Sequence, residues 1–216
     1  MPKLPAILLL CLAMLGGAGI VAYAAFDGGD SNLQAAISEH ADRIYRGTDA
    51  VAGDPDGDVP VVLFTDFNCP DCRQAEPAIE RLVTEKNGVQ LIVKQLPVLG
   101  RDSEIAARIA LAADAQGKYW PLHTALFEER GRVTQGRALR IAETVGVDID
   151  KLKRQANSDE ITEQLNDTQA LAEALDVPGV PFILVGDRRV LESDDLYGDL
   201  SAAVEDVRTE GCSADC

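Results

Sequence analysis

Apolar positions recur along this chain in two rhythms, and the switch between them outlines an α/β fold. Val61-Val62-Leu63-Phe64-Thr65 is a continuous β-branched and aromatic run, and Ala75, Ile79, Leu82 and Val83 then fall at helical spacing. Pro77 inside that helix is expected to kink it, and Asn87-Gly88 to stop it. A second strand is expected from Val89 to Gln95. From Ser103 to Leu175 the spacing is helical throughout, carried by Ile105, Ile109 and Ala112, by Leu122 and Phe127, and later by Ile161, Leu165, Ala172 and Leu175. Phe182 to Val185 and Arg189 to Leu191, joined around Gly186-Asp187, read as a hairpin. Ser193 is expected to cap a last helix carrying Leu196, Leu200, Val204 and Val207. Upstream, Ser31 to Arg46 reads as an amphipathic helix with Leu33, Ile37, Ile44 and Tyr45 on one side and Gly47 as its stop. The Gly- and Asp-rich stretch from Gly47 to Asp58 reads as a linker.

A chain of 216 residues is one domain with additions, long enough to bury a real core. Its formal charge of -16, with no cluster of Lys and Arg, argues against nucleic acid as a partner. The charge by itself names no substrate. Lys3 is followed by an uncharged run from Leu4 to Phe26 that contains Ala22-Tyr23-Ala24. Residues 1–25 therefore read as an export signal, and the run at 4–26 is also long enough to remain as a membrane anchor. Either way the rest of the chain is expected in the periplasm or another extracytoplasmic compartment, where disulfides persist. Cys11 follows Leu10 rather than a small residue and is not read as a lipid-attachment site.

The chemistry sits where the first strand joins its helix. Cys69-Pro70-Asp71-Cys72 follows directly on the run Val61-Val62-Leu63-Phe64-Thr65-Asp66-Phe67-Asn68. Residues i and i+3 of a helix share a face about 5 Å apart, inside the window a disulfide needs, so the bridge can close and open without moving the backbone. Helix N–H groups and the positive end of the macrodipole favour the thiolate of Cys69, the attacking sulfur. Cys72, a turn deeper, is the resolving one. Two other readings compete. Half of a zinc site would need two further ligands, and the Cys212/Cys216 pair could supply them. Against it, a preceding strand and an intervening Pro70 belong to a strand-to-helix turn. A structural staple is the other reading, though closing so short a loop gains little.

The second feature is Val177-Pro178-Gly179-Val180-Pro181-Phe182-Ile183-Leu184-Val185. A proline directly before a strand invites a cis peptide, since it lowers the cost of cis and cannot donate to the ladder. Four segments now combine: Phe64 to Cys72, Gly179 to Phe182, Lys94-Gln95-Leu96-Pro97-Val98-Leu99-Gly100, and Gly117-Lys118-Tyr119-Trp120-Pro121-Leu122-His123. With them the chain resembles the DsbA-like thiol-disulfide oxidoreductases of the thioredoxin superfamily, from about Val61 to Val207. The early dithiol, the late Val-Pro and the long helical stretch between them separate it from plain thioredoxin.

The resemblance implies a thioredoxin fold with an all-helical insertion between the second and third core strands. It implies a domain at residues 59–209 with the insertion at about 102–176, preceded by a helix and linker at 26–58 and followed by a Cys-containing tail at 210–216. Cys69 would be the nucleophile, Cys72 the resolving cysteine and Pro181 the cis-proline facing the disulfide. Val180 would pair its backbone with an extended client segment, with Pro70 and Asp71 beside it. No cofactor and no metal is implied. N-terminal additions of this kind can mediate oligomers, so a homo-oligomer through the helix is one expectation and packing on its own domain the other.

Two positions depart from the family pattern. Leu63 stands where a buried acid commonly sits, six residues before the nucleophile, so Lys94 is expected to lack its partner. Proton transfer in the resolving step is then expected to run through water or another carboxylate. Asp71 places an anion between the cysteines, which opposes a thiolate at Cys69 and predicts a less extreme oxidant than one with histidine there. Tyr119, Trp120 and His123 could line a site, but at helical spacing they read as core and rim packing. Cys212 and Cys216 are expected to pair with each other; a relay to the dithiol and a soft-metal site are the alternatives.

These readings converge on an exported thiol-disulfide oxidoreductase that donates a disulfide to cysteine-containing client proteins and is recharged by a membrane redox partner. The alternatives are a reductase or isomerase kept reduced by such a partner, and a metal-binding or scaffold module that uses the dithiol as ligands.

Overall fold

The computed structural model describes residues 31–47, 49–212 and 216, so the apolar segment at 4–26 lies outside the described residues. Among those described, no helix is long and apolar enough to cross a membrane. The described residues begin with a helix at residues 31–39 (α1) and a short one at Ala41–Tyr45 (α2). Five strands follow: β1 (Ala50–Gly53), β2 (Val59–Thr65), β3 (Val89–Gln95), β4 (Phe182–Val185) and β5 (Arg188–Val190). They form one sheet in the order β1-β3-β2-β4-β5. Between β2 and β3 runs α3 (Pro70–Glu85). The block between β3 and β4 is all helical: α4 (Arg101–Asp114), α5 (Tyr119–Glu128), α6 (Gln135–Thr144), α7 (Ile149–Ala156) and α8 (Asp159–Ala174). The last helix, α9 (Leu196–Glu210), closes the fold. This is the thioredoxin-type sheet with its helical insertion.

Strand β2 is central and every one of its residues is buried. Its alternation divides the interior in two. Val59, Val61 and Leu63 join a core with α3, the insertion and α9. Val62 and Phe64 face a second core with Ile92, Phe182, Leu184 and the end of α8. The N-terminal helices cover that second core: Ile37 and Ile44 are wholly buried in it. Tyr45 donates its hydroxyl to the Gly186 carbonyl at 3.0 Å and Gln34 its amide to the Asp187 carbonyl at 2.6 Å. The apolar side of these helices therefore faces their own domain.

Several expectations change. The N-terminal helix is broken at His40 into two pieces. The stretch from Gly47 to Asp58 is not only a linker, because Ala50–Gly53 pairs antiparallel with β3 as an edge strand. Three of its four residues, Ala50, Ala52 and Gly53, have low β-propensity, and half of it faces solvent. Asp195 rather than Ser193 caps α9, accepting from the Gly198 N–H at 3.2 Å. Finally, Lys94 is not left without a partner. Register pairs it with Phe64, so it lies on the face away from Leu63, where its ammonium meets the Asp49 carboxylate and donates to the Arg43 carbonyl at 2.6 Å.

That ion pair is sealed, with side-chain exposures of 3% for Lys94 and 7% for Asp49. Burial raises the Asp49 carboxyl above its usual range, and Lys94 pulls it back. Removing one partner of such a pair strands the other charge. Asp49→Ala is expected to lower stability in urea unfolding by about 3 kcal/mol, while the double substitution Asp49→Leu/Lys94→Met recovers to within about 1 kcal/mol of the parent.

Candidate active site

Beyond the end of β2 the chain must turn sharply from strand to helix, and Asp66 builds that turn. Its carboxylate is buried and accepts from the Asn68 N–H at 2.8 Å and the Leu99 N–H at 3.0 Å, while its carbonyl accepts from the Cys69 N–H at 3.0 Å. Cys69 is thereby the N-cap of α3, with Pro70 at the first helical position, where a missing N–H costs nothing. The Cys69 sulfur accepts the Cys72 N–H at 3.3 Å and donates to the Val180 carbonyl at 3.2 Å. The peptide bond between Val180 and Pro181 is cis. Strand β4 carries Val180 and Pro181 to this place by pairing antiparallel with β2, Phe182 opposite Phe64.

Both cysteines are free thiols, and their surroundings differ. Cys72 is the deeper, 1% exposed against 5% for Cys69. Burial pushes the Cys72 thiol far up from its usual range, reinforced by its bond with Cys69 and only partly opposed by the Asp66 backbone and the Thr65 hydroxyl. Pro70 and Asp71 are exposed at the mouth, and Val180 and Pro181 are half-buried. Glu192, from the loop after β5, faces Asp71; burial first, and the Asp71 charge second, raise its carboxyl.

Residues flanking the dithiol lock it to the helical insertion. Asn68 donates to the Val133 carbonyl at 3.2 Å and to Ser103 at 3.3 Å, and accepts from the Val133 N–H at 2.7 Å. The Arg73 guanidinium donates to the carbonyls of Phe127, of Glu129 at 2.6 Å and of Phe67 at 3.0 Å. Periodicity carries no sign of these roles, since both side chains reach backbone atoms about 50 or more residues away.

The tail cysteines form a disulfide with each other. Cys212 packs against Gly186, where a Cβ would come within 2.9 Å of its sulfur. Gly186 donates its N–H to the Pro60 carbonyl, at the opposite end of β2 from Cys69. At roughly 3.3 Å per strand residue the two cysteine pairs are separated by more than about 15 Å. The tail therefore neither completes a zinc site at the dithiol nor exchanges directly with it in this conformation.

Residues 60–200 match the model of the DSBA-like thioredoxin domain, most of the chain. The chain belongs to this family. A thioredoxin-like oxidoreductase from Silicibacter pomeroyi DSS-3 is 38% identical with a TM-score of 0.74, covering 78% of this chain and 97% of that one. The thiol-disulfide exchange protein alpha-DsbA2 from Wolbachia pipientis is 28% identical with a TM-score of 0.76, covering 82% of this chain and 96% of that one. The Na(+)/H(+) antiporter NhaA 1 of Salinispora arenicola is 31% identical over 158 residues, 72% of this chain but 24% of the antiporter. The chain thus spans about a quarter of the length of that curated relative. In this chain Leu63 is apolar and buried in the core that β2 shares with α3, the insertion and α9.

The burial of the Cys72 thiol has a direct optical readout. In a Cys11→Ser/Cys69→Ser protein, Cys72 is expected to show no thiolate absorbance at 240 nm up to about pH 10, whereas an ordinary thiol is half ionised near 8.5.

Proposed function

We propose that this protein is a thiol-disulfide oxidoreductase acting on cysteine-containing client proteins through Cys69 and Cys72. The observation that carries this reading is the Cys69 sulfur held at 3.2 Å from the Val180 carbonyl, beside the cis Val180-Pro181 bond and next to a more deeply buried second thiol. A client segment laid antiparallel to Val180 brings its own cysteine against Cys69. Family membership and the likeness to a thiol-disulfide exchange protein support it.

In the oxidase direction a client thiolate attacks Cys69 of the Cys69-Cys72 disulfide, and Cys72 leaves. A second client thiolate then attacks the mixed disulfide, the client departs oxidised and Cys69 is released reduced. Reduction runs the same bonds in reverse, with Cys69 attacking. Cys69 is the nucleophile, Cys72 the resolving thiol, and Val180, Pro181, Pro70 and Asp71 form the client-facing rim. With residues 1–25 as an export signal, or 4–26 as a membrane anchor, the domain acts in an extracytoplasmic compartment, where a membrane partner recharges the dithiol.

Direction is tested by equilibrating the protein, with Cys11, Cys212 and Cys216 replaced by serine, in glutathione buffers. An oxidase has a Cys69-Cys72 potential well above the glutathione couple; a value well below it would replace the oxidase reading with the reductase or isomerase one. Failure of the two cysteines to form a reversible disulfide would overturn the function itself. Asp71→His removes an anion beside the thiolate and is expected to raise the potential by about 30 mV or more, a tenfold change in the exchange constant.

A further inference from the structure

A second set of titratable groups begins on the helix that carries the dithiol and has no part in the exchange described above. Glu76 is four residues after Cys72 on α3, and both are buried. Residues at this spacing are neighbours on one helix face, and a helical side chain leans toward the N-terminus, which brings the Glu76 carboxylate over the turn that holds Cys72. Its Oε1 lies 2.9 Å from Nε2 of His123, a residue with no exposed surface. His123 Nδ1 lies 3.3 Å from the Tyr119 hydroxyl, which in turn takes a hydrogen bond from the Gln95 amide at 2.9 Å.

One arrangement of hydrogens pairs the phenol, both ring nitrogens and the carboxylate. Gln95 donates to the phenol oxygen, so the phenol hydrogen is free for Nδ1. The ring hydrogen then sits on Nε2 and is donated to Glu76 Oε1. That leaves Oε2 of Glu76 as the oxygen that can take or give a proton. The imidazole is clamped in this orientation by Trp120, stacked at 4.9 Å and 19°, and by the edges of Phe67 and Phe127. Four buried polar side chains in sequence, on three different elements, are costly to assemble for packing alone.

We propose that Glu76 is the proton acceptor for the Cys72 thiol in the resolving step, with His123 and Tyr119 as the residues that position it. This rests on the exchange reading of the dithiol. Starting from the mixed disulfide of Cys69, the Cys72 sulfur passes its proton to Glu76 Oε2 and attacks the Cys69 sulfur. The bond between Cys69 and the client sulfur breaks, the Cys69-Cys72 bond forms, and the client leaves as thiolate. In the oxidase direction Cys72 leaves as thiolate and recovers the proton from the Glu76 carboxyl. Leu63 holds no acid, and Glu76 provides one from the helix instead of from the strand. The other ionisable groups acting on this assembly are Asp114 at the end of α4 and Asp49 before β1, both felt by Tyr119, the latter paired with Lys94.

The test uses the full chain carrying Cys11→Ser, reduced at the dithiol only, and 5,5′-dithiobis(2-nitrobenzoic acid) as the disulfide. Attack by Cys69 releases one thionitrobenzoate; resolution by Cys72 releases the second. Glu76→Gln keeps an oxygen for the His123 N–H but cannot take the proton. It is expected to leave the first release within about twofold and slow the second by about tenfold or more at pH 6 to 7, within the range of general acid-base effects. The gap should close at high pH, where hydroxide takes the proton. Tyr119→Phe, which keeps the ring and frees the tautomer, is expected to slow the second release about threefold; it carries the test if Glu76→Gln does not fold. Second-phase rates within about twofold of the parent at every pH would overturn the proposal. A parent protein that releases no second equivalent would instead overturn the exchange reading on which it rests.

Discussion

The double-sided burial of β2 is the constraint on which the rest of the structure depends. All seven of its residues are buried, and each of the large ones contributes about 1.5–3 kcal/mol by leaving water. A strand buried on both faces cannot slip, because a shift of one residue would exchange its two sets of side chains between unlike cores. Its far end is therefore fixed in space, and with it the turn at Asp66, the N-terminus of α3 and the sulfur of Cys69. The same strand fixes Val180, because Phe64 opposite Phe182 sets where β4 begins.

From that anchor the helical insertion is tied in through polar contacts rather than through further strands. Asp66 binds the loop after β3, Asn68 the loop at Val133, and Arg73 a set of carbonyls around Phe127 and Glu129. Backbone groups in such loops would otherwise lie unpaired at the junction, and a guanidinium with several rigid donors satisfies more than one at a time. The result is a dithiol whose flanks are rigid and whose mouth, at Pro70 and Asp71, is open.

The unequal environments of the two thiols follow from the same placement. Cys69 caps the helix beside the exposed Pro70 and Asp71; Cys72 is the more deeply buried, where desolvation penalises its anion. A buried thiol is protected from wandering oxidants, and it can leave or attack only where its proton has somewhere to go. The polar chain of Glu76, His123, Tyr119 and Gln95 lies in the wall that α3 and α5 share with the sheet.

Much of this was legible in the residues alone. The strand-to-helix switch around Cys69-Pro70-Asp71-Cys72, the helical block, the hairpin at Gly186-Asp187 and the Val180-Pro181 step are local patterns, and local sterics and periodicity write them directly into sequence. Tertiary structure decided the rest, because it depends on partners distant along the chain. Strand β1 exists only because β3 offers an edge to Ala50–Gly53, and Lys94 finds Asp49 on a face that strand parity alone could not match to a partner. His123, read as packing from its spacing, proved to be both packed and bonded to Glu76, 47 residues away. Sequence by itself determined the dithiol and the kind of fold that presents it, since both are set within a few residues. Which side chains surround the buried sulfur was decided only when the sheet and the insertion closed on each other, because burial and long-range hydrogen bonds have no signature in a linear pattern.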